Sequence, residues 1–226
     1  MPEQHAPSDA LLVDGHGRTV RYLRISVTDR CNLCCRYCRD EGVPFIPHEN
    51  ILRFEEIEKI IEIATELGVH KLRFTGGEPF ARKGFLDFLG RIHERFPHVA
   101  LKLTTNGTLL APALDTLKEL GVSVNLSLDS LDRQKYASIT GRDELPTVLD
   151  NMHRMLEMGI PLKINAVAMR GVNDDELHDL AAMAMDWPVD VRFMLPSCVP
   201  ATDLDESGAV LNAEQLRPYY GDPRVL

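Results

Sequence analysis

The residues best suited to chemistry in this sequence are four cysteines that lie close together. Cys31, Cys34, Cys35 and Cys38 fall within a short segment, and Cys198 stands far away. An odd number of cysteines with this distribution does not fit a disulfide framework and indicates metal or redox chemistry. Three of them form a CxxxCxxC pattern at 31, 35 and 38. This spacing lets three thiolates from one loop converge on a metal centre.

The number of ligands separates two kinds of metal centre. A structural zinc ion normally takes four protein ligands, whereas a 4Fe-4S cluster held by three cysteines leaves one iron open to an exogenous ligand. A zinc site that uses Cys31, Cys34 and a further pair stays an alternative, although no well-spaced His or Cys partner lies near. For Cys34 and Cys198 the plain interpretation is a small side chain that is buried or partly exposed.

The elements that must position this loop are strands that alternate with amphipathic helices. Apolar residues at steps of three or four run from Phe54 to Leu67 and stop at Gly68, which predicts a helix with a glycine after its end. The same arrangement recurs before Gly121 and Gly159. Together with six β-rich runs, the alternation predicts an α/β fold with a parallel sheet or barrel. The expected strands are Tyr22–Val27, Lys71–Thr75, Leu101–Thr105, Val122–Leu128, Leu162–Val167 and Val189–Met194.

Along these strands, apolar and polar side chains alternate and therefore point to opposite faces. If the apolar faces pack under the helices, the polar faces converge inside the fold. Burying several unpaired cations there would cost several kcal/mol each, so the pattern predicts an anionic ligand. The alternative is an antiparallel sheet with one wet face. The converging residues are Arg24, Arg73, Thr104, Asn125, Ser127, Lys163, Asn165 and Arg192.

The stretch LRISVTDRCNLCCRYC, from Leu23 to Cys38, resembles the cluster loop of the radical S-adenosylmethionine superfamily. Within that superfamily the chain is similar to the GTP 3',8-cyclases of molybdenum cofactor biosynthesis over about residues 20 to 195. The similar segments follow the family's order. They are KLRFTGGEPFARKGF, LTTNGTLL, VNLSLDSLD, ITGRDELPTVLDN and KINAVAMRGVNDDEL.

The resemblance implies a partial (βα)6 TIM-like barrel and two cofactors, one 4Fe-4S cluster and S-adenosylmethionine. It implies that the cluster reductively cleaves S-adenosylmethionine to a 5'-deoxyadenosyl radical, so that no side chain is assigned as catalytic. The implied metal ligands are Cys31, Cys35 and Cys38. The implied contacts to S-adenosylmethionine are Tyr37, Gly76, Gly77, Glu78 and Ser127. The implied contacts to GTP are Arg24, Arg73, Thr104 and Lys163.

Three segments are expected: a flexible N-terminal arm at 1–18, a core barrel at 19–196 and a C-terminal extension at 197–226. The extension either closes the mouth of the barrel or belongs to a further domain. Relatives of this kind carry a second three-cysteine motif, whereas only Cys198 follows the first loop here. Two alternatives to a cyclase therefore remain: a shortened radical enzyme with another anionic or nucleotide substrate, and a non-catalytic iron–sulfur relic.

Composition narrows the class of partner. The 226 residues are 44% hydrophobic and 26% charged, as in ordinary globular proteins, and the net charge is −9. This charge gives no general attraction to nucleic acid or to anionic membranes, so neither is expected as a partner. No apolar run is long enough to span a membrane, and the first residues do not resemble a signal peptide. The expectation is a cytoplasmic protein that uses GTP or another nucleotide and an electron donor protein.

Overall fold

A computed structural model describes residues 11–38 and 43–194. Strands and helices alternate along these residues, and the six expected strands are confirmed with their ends shifted by at most one residue. In chain order the elements are β1 (Tyr22–Ser26), α1 (Phe54–Glu66), β2 (Lys71–Thr75), α2 (Phe85–Arg95), β3 (Ala100–Thr105), α3 (Leu114–Glu119), β4 (Ser123–Ser127), α4 (Arg133–Thr140), α5 (Leu145–Glu157), β5 (Leu162–Val167), α6 (Leu177–Asp186) and β6 (Asp190–Met194).

The strands form one sheet in the order β1-β2-β3-β4-β5-β6, and every neighbouring pair is parallel. Within the described residues, β1 and β6 are the two edges of this sheet, so the barrel is partial and not closed. The expected partial (βα)6 barrel is confirmed, and the antiparallel alternative is wrong. Helical crossovers explain the result, because parallel strands need connections long enough to return to the starting edge.

The hydrophobic core lies between the sheet and the helices. Leu72 and Phe74, at alternate positions of β2, are fully buried. The ring of Phe74 contacts the rings of Phe85 and Phe88 edge-on, with centroid distances of 6.0 and 5.5 Å. Burying a side chain of this kind contributes about 1.5–3 kcal/mol. The apolar face of the sheet therefore packs against the helices, and the polar face is available to line a site.

Glycines end several of these helices, as the sequence predicts. Gly68, Gly121 and Gly159 have φ values of 92°, 62° and 66°. Residues with a Cβ rarely adopt this left-handed conformation, so glycine lets each helix end and the chain turn toward the next strand.

Residues 11–20, which include part of the expected flexible arm, form a turn that contacts the body of the protein. Val13 and Thr19 make an antiparallel bridge, and the backbone N–H of Leu12 donates to the carbonyl of Leu67 at 3.0 Å. These contacts attach residues 12 and 13 to the rest of the described structure, and the flexible arm at 1–18 stays a prediction. The boundary at residue 19 stays a prediction, and the expected extension at 197–226 lies outside the described residues.

The helices of the described residues are all too short or too polar to cross a lipid bilayer.

Candidate functional site

The cysteine loop leaves the sheet at the carboxyl end of β1, beside the GGEP turn that follows β2. Backbone hydrogen bonds continue between the two segments past the ends of the strands. The N–H of Gly77 donates to the carbonyl of Thr28 at 2.7 Å, and the N–H of Glu78 donates to that of Arg30 at 2.8 Å. Cys31 comes next in the chain, so the first thiol is positioned directly by the sheet.

The two glycines of this turn make the close pairing possible. A Cβ on Gly76 would lie 2.5 Å from the carbonyl oxygen of Thr28, and one on Gly77 would lie 2.3 Å from that of Arg30. Neither backbone atom can move without breaking the pairing just described. We expected these glycines to open space for a cofactor. In the structure, the side without a Cβ faces residues 28–30 of the protein itself.

The carboxylate of Glu78 ties β2 to the end of β3. It is fully buried and accepts hydrogen bonds from the hydroxyl of Thr105 at 2.9 Å and from the backbone N–H groups of Asn106 and Phe80 at 2.8 and 3.2 Å. Burial raises its pKa, and these donors partly offset the effect. The contact of Glu78 to S-adenosylmethionine that the resemblance implies stays a prediction. In this structure both of its oxygens accept hydrogen bonds from neighbouring protein groups, so Glu78 positions the end of β3.

The other end of the cysteine loop rests on the end of α4, a helix that the sequence analysis missed. The N–H groups of Cys34 and Arg36 donate to the carbonyls of Thr140 and Ile139, both at 2.9 Å. A Cβ on Gly141 would lie 3.3 Å from the carbonyl oxygen of Cys34 and 3.4 Å from its Cβ. Cys34 therefore packs against the end of α4, which distinguishes it from the other three cysteines of the loop.

The sequence does contain one signal for α4, a capping residue at the first turn of the helix. The Asp132 side chain accepts from the backbone N–H groups of Gln134 and Lys135 at 2.9 and 2.8 Å. Aspartate followed by a polar segment is a common helix start. The helix is short and weakly amphipathic, so its apolar periodicity does not reveal it.

Cys31, Cys35 and Cys38 influence one another electrostatically. Burial is the main cause that raises the pKa of Cys31, and it raises the pKa of Cys35 to about 12. The negative charge of Asp129 and of the other two thiolates adds to the shift at Cys35. Such mutual repulsion is relieved when cationic iron binds the thiolates.

The donor set fits an iron–sulfur cluster. The four cysteines of the loop are not in disulfides, so the three proposed ligands carry thiol groups. Within residues 11–38 and 43–194, no three His, Cys, Asp or Glu side chains are grouped as a single metal ion requires. A 4Fe-4S cluster binds each thiolate at a different iron, so its three ligands do not have to meet at one ion.

Tyr37 links the loop to the carboxyl end of β4. Its hydroxyl donates to Oδ2 of Asp129 at 2.6 Å, and the N–H of Val167 donates to Oδ1 at 2.8 Å. Burial raises the pKa of the Asp129 carboxyl, an effect that these donors oppose. We expected Tyr37 to contact an adenosyl group. Its hydroxyl is hydrogen-bonded to Asp129, so the half-buried ring is the part of the Tyr37 side chain that remains for such a contact.

The cations of the polar face meet on neighbouring strands. Arg24 pairs in register with Arg73, and Arg73 with Lys102. The Arg73 guanidinium donates from Nε to the Tyr22 hydroxyl at 2.7 Å and from Nη1 to Thr104 Oγ1 at 3.3 Å. The structure thus brings Arg24, Arg73 and Thr104 together, as the alternation predicts.

Lys163 reaches this face from β5, where it forms an ion pair with Asp190 of β6. Burial lowers the pKa of Lys102, and the nearby charges of Lys71, Arg73, Lys163 and Arg192 lower it further. Like charges so close together favour an anion between them. Ser127 ends β4 beside Asn165 of β5, on the same side of the sheet.

The family model of the Radical SAM superfamily matches residues 25–184, which make up most of the chain. The chain belongs to this superfamily. Radical SAM relatives with similar sequences include the GTP 3',8-cyclase of Petrotoga mobilis, 44% identical over 186 residues. That match covers 81% of this chain and 58% of the relative. The GTP 3',8-cyclase of Syntrophomonas wolfei is 40% identical over 221 residues, which cover 95% of this chain and 67% of the relative. The chain thus spans roughly three-fifths of these relatives.

Solved radical SAM structures share the fold. Streptococcus suis SuiB bound to S-adenosylmethionine has a TM-score of 0.65 at 22% identity over 76% of this chain and 39% of that one. A radical SAM methyltransferase from Sphaerobacter thermophilus has a TM-score of 0.65 at 17% identity over 88% of this chain and 61% of that one. At such identities the likeness supports the open barrel of this radical SAM protein and nothing about its substrate.

Two residues next to the radical SAM cysteine loop, Asp129 and Asn106, have no assigned role in the sequence analysis. Asp129 lies in SLDS and Asn106 in TTNG, short motifs that resemble turns in isolation. Their placement at successive strand ends nevertheless supports a site, because barrel proteins place their functional groups there. Asn106 directly follows β3, and Asp129 lies two residues after β4. Asn106 Nδ2 lies 3.6 Å from Cys31 Sγ, within the range of an N–H···S hydrogen bond.

Proposed function

We propose that this chain is the radical-generating core of a GTP 3',8-cyclase. Cys31, Cys35 and Cys38 would hold one 4Fe-4S cluster, and S-adenosylmethionine would bind at the iron that has no cysteine ligand. The observation that carries the proposal is the placement of three cysteine thiols at the carboxyl rim of a sheet whose polar face is lined with cations. A redox centre and an anion site on one open barrel are what a radical reaction on a nucleotide requires.

A 4Fe-4S cluster bound by Cys31, Cys35 and Cys38 would supply the one electron that reductive cleavage of S-adenosylmethionine requires, and that cleavage would provide the radical chemistry for removal of a hydrogen atom from the GTP ribose. The residues of the chain bind and orient the reactants. Arg24, Arg73, Thr104 and Lys163 hold the triphosphate, which directs the ribose toward the rim. Positioning of this kind lowers the barrier because the reacting atoms are brought together before the reaction.

Contacts to S-adenosylmethionine divide into direct and indirect ones. We assign direct contacts to the ring of Tyr37 and to Ser127, both of which are half-buried. Gly76, Gly77 and Glu78 act indirectly, since their packing against residues 28–30 and 105–106 sets the place of the cysteine loop. Carbonyls of the GGEP turn remain available as acceptors for the cofactor's amine.

The positive charges of the polar face support a nucleotide as the anionic ligand. The chain carries a net charge of −9, yet the charges of Lys71, Arg73, Lys163 and Arg192 all act on Lys102 at a single face. In the described strands, Asp190 forms an ion pair with Lys163 on this face, and its charge also acts on Arg192. A triphosphate brings enough negative charge to balance the others.

The function also requires a one-electron donor protein and a reducing compartment, and we propose that the protein works in the cytoplasm.

Anaerobic reconstitution with iron and sulfide, followed by reduction and addition of S-adenosylmethionine, tests the proposal. The readouts are iron content and release of 5'-deoxyadenosine with and without GTP. We expect a loaded cluster, cleavage of S-adenosylmethionine and faster cleavage with GTP. Stimulation by another nucleotide but not by GTP would contradict the assigned substrate. Absence of cleavage from a fully loaded protein would contradict the enzyme itself.

A further inference from the structure

We propose that Asn106 is a positioning residue that sets the reduction potential of the cluster through a hydrogen bond from its side-chain amide to the sulfur of Cys31. The inference rests on the proposed function, because it requires the cluster to be bound. It adds a residue from the end of β3 to a centre whose ligands all come from the loop after β1.

The amide of Asn106 is held in one orientation. Its Oδ1 accepts from the backbone N–H of Thr108 at 3.0 Å and from the Thr108 hydroxyl at 2.7 Å. Because the oxygen faces these two donors, Nδ2 faces the opposite side, where it lies 3.0 Å from Asn32 Oδ1 and 3.6 Å from Cys31 Sγ. The positive end of the amide dipole therefore points at the first cluster ligand.

The backbone of Asn106 is fixed as firmly as its side chain. Its N–H donates to the buried carboxylate of Glu78 at 2.8 Å. The Asn32 side chain, next to Cys31, also donates to the Thr108 hydroxyl at 2.7 Å. The TTNG turn and the cysteine loop thus meet through three side chains, and the contact to sulfur does not depend on one flexible group.

The electrostatic effect of this contact has a definite sign. A donor stabilises negative charge on a cysteine sulfur, and a reduced cluster carries more negative charge than an oxidised one. Hydrogen bonds from Asn106 and from the backbone N–H of Leu33, at 3.4 Å, therefore favour the reduced state. The Glu78 charge acts on Cys31 in the opposite direction. Asn106 lies between this carboxylate and the sulfur and offsets part of its repulsion.

The test compares Asn106→Asp, Asn106→Ala and Thr108→Ser in the reconstituted full chain. Asn106→Asp keeps the shape and the acceptor for Thr108 but replaces the donor with an oxygen. Asn106→Ala removes the donor without adding charge. Thr108→Ser is the matched control, since it removes a methyl group from the contact between the two loops and keeps the hydroxyl that holds the Asn106 amide. The readouts are iron content and the midpoint potential of the loaded cluster.

We expect the midpoint potential to shift to lower values in both Asn106 variants, further in Asn106→Asp than in Asn106→Ala, and to stay unchanged in Thr108→Ser. Equal shifts in all three variants would assign the effect to packing and overturn the inference. An unchanged potential in loaded Asn106→Asp would overturn it too. So would the loss of iron from both Asn106 variants alone, because Asn106 would then serve assembly. If the unsubstituted protein takes up no cluster, the proposed function itself fails.

Discussion

The hydroxyl of Tyr37 donates a hydrogen bond to Oδ2 of Asp129 at 2.6 Å, across 92 residues of sequence. This contact fastens the cysteine loop to the carboxyl end of β4, whereas backbone pairing fastens the same loop to β2. A loop held on both sides keeps its thiols in place before iron arrives. The rigidity of the site therefore comes from buried contacts made by residues next to the cysteines.

Replacement of Tyr37 by Phe removes this hydroxyl and leaves a buried carboxylate oxygen without its donor. We expect the free energy of unfolding of the metal-free protein to fall by about 1–3 kcal/mol. Denaturant unfolding of Tyr37→Phe, Asp129→Asn and the double variant measures the coupling. The two effects are expected to be non-additive by at least ~0.5 kcal/mol. Simple addition would show that the two groups do not interact in solution.

Replacement of Gly77 by Ala places a methyl group 2.3 Å from the Arg30 carbonyl oxygen. The strands and the cysteine loop must separate to accept it, so we expect a loss of about 1–3 kcal/mol of unfolding free energy. Gly90→Ala is the control. Gly90 lies within α2 with no atom within 4 Å of its missing Cβ, and alanine there should stabilise by about 0.5–1 kcal/mol. Equal losses in both variants would contradict the close approach at residue 77.

Replacement of Cys35 by Ala should abolish loading of the cluster, whereas Cys34→Ala should leave it nearly intact. The reason is that Cys34 packs against Gly141 at the end of α4, while Cys35 interacts with Cys31 and Cys38. Iron and sulfide content after anaerobic reconstitution measures the difference. Equal loss in the two variants would mean that the three ligands are wrongly chosen.

The pKa of Cys35, about 12, predicts how the metal-free protein reacts with iodoacetamide. Because of this raised pKa, Cys35 is mostly a neutral thiol at pH 8, and its alkylation at this pH is slow. It should accelerate about tenfold per pH unit while the pH stays below the pKa. Asp129→Asn removes one of the charges that raise this pKa, and the variant should react faster at the same pH. Mass spectrometry of the alkylated peptide gives the rates.

Asp150→Asn serves as the control for charge in the alkylation experiment, because Asp150 is an exposed residue of α5. In the Asp150→Asn variant, the pH dependence of alkylation at Cys35 should match that of the unsubstituted protein. A faster reaction in Asp150→Asn would mean that net charge, and not the contact environment of Cys35, controls the rate.

Lys163 and Asp190 form an ion pair at the polar face, and their replacement should affect GTP binding in opposite directions. Lys163→Ala removes a cation from the phosphate site, and we expect about tenfold weaker binding. Asp190→Asn removes the competing carboxylate and should strengthen binding. Calorimetric titration with GTP under anaerobic conditions measures both. The exposed Lys118 of α3, replaced by Ala, should leave the affinity unchanged. Unchanged affinity in Lys163→Ala would remove it from the site.

Parts of the site could be read from the sequence because their signals are local. The cysteine spacing lies within one loop, and the alternation that brings Arg24, Arg73 and Thr104 to one face lies within single strands. The contacts of Gly76, Gly77 and Glu78 to S-adenosylmethionine that the resemblance implies stay a prediction. Their partners in the structure, residues 28–30 and 105–106, belong to other elements, and no local pattern names them.

The sequence by itself determined the six strands, the three helices that end before Gly68, Gly121 and Gly159, and the cysteine loop, since periodicity and spacing are set by residues close together in the chain. Only the tertiary structure decided which hydrogen-bond partner each buried polar group has. Tyr37 with Asp129 and Asn106 with Cys31 are joined across 92 and 75 residues. The physical reason is that parallel strands gather their carboxyl ends at one rim, and burial there forces each polar group to find a partner among the neighbours that the fold supplies.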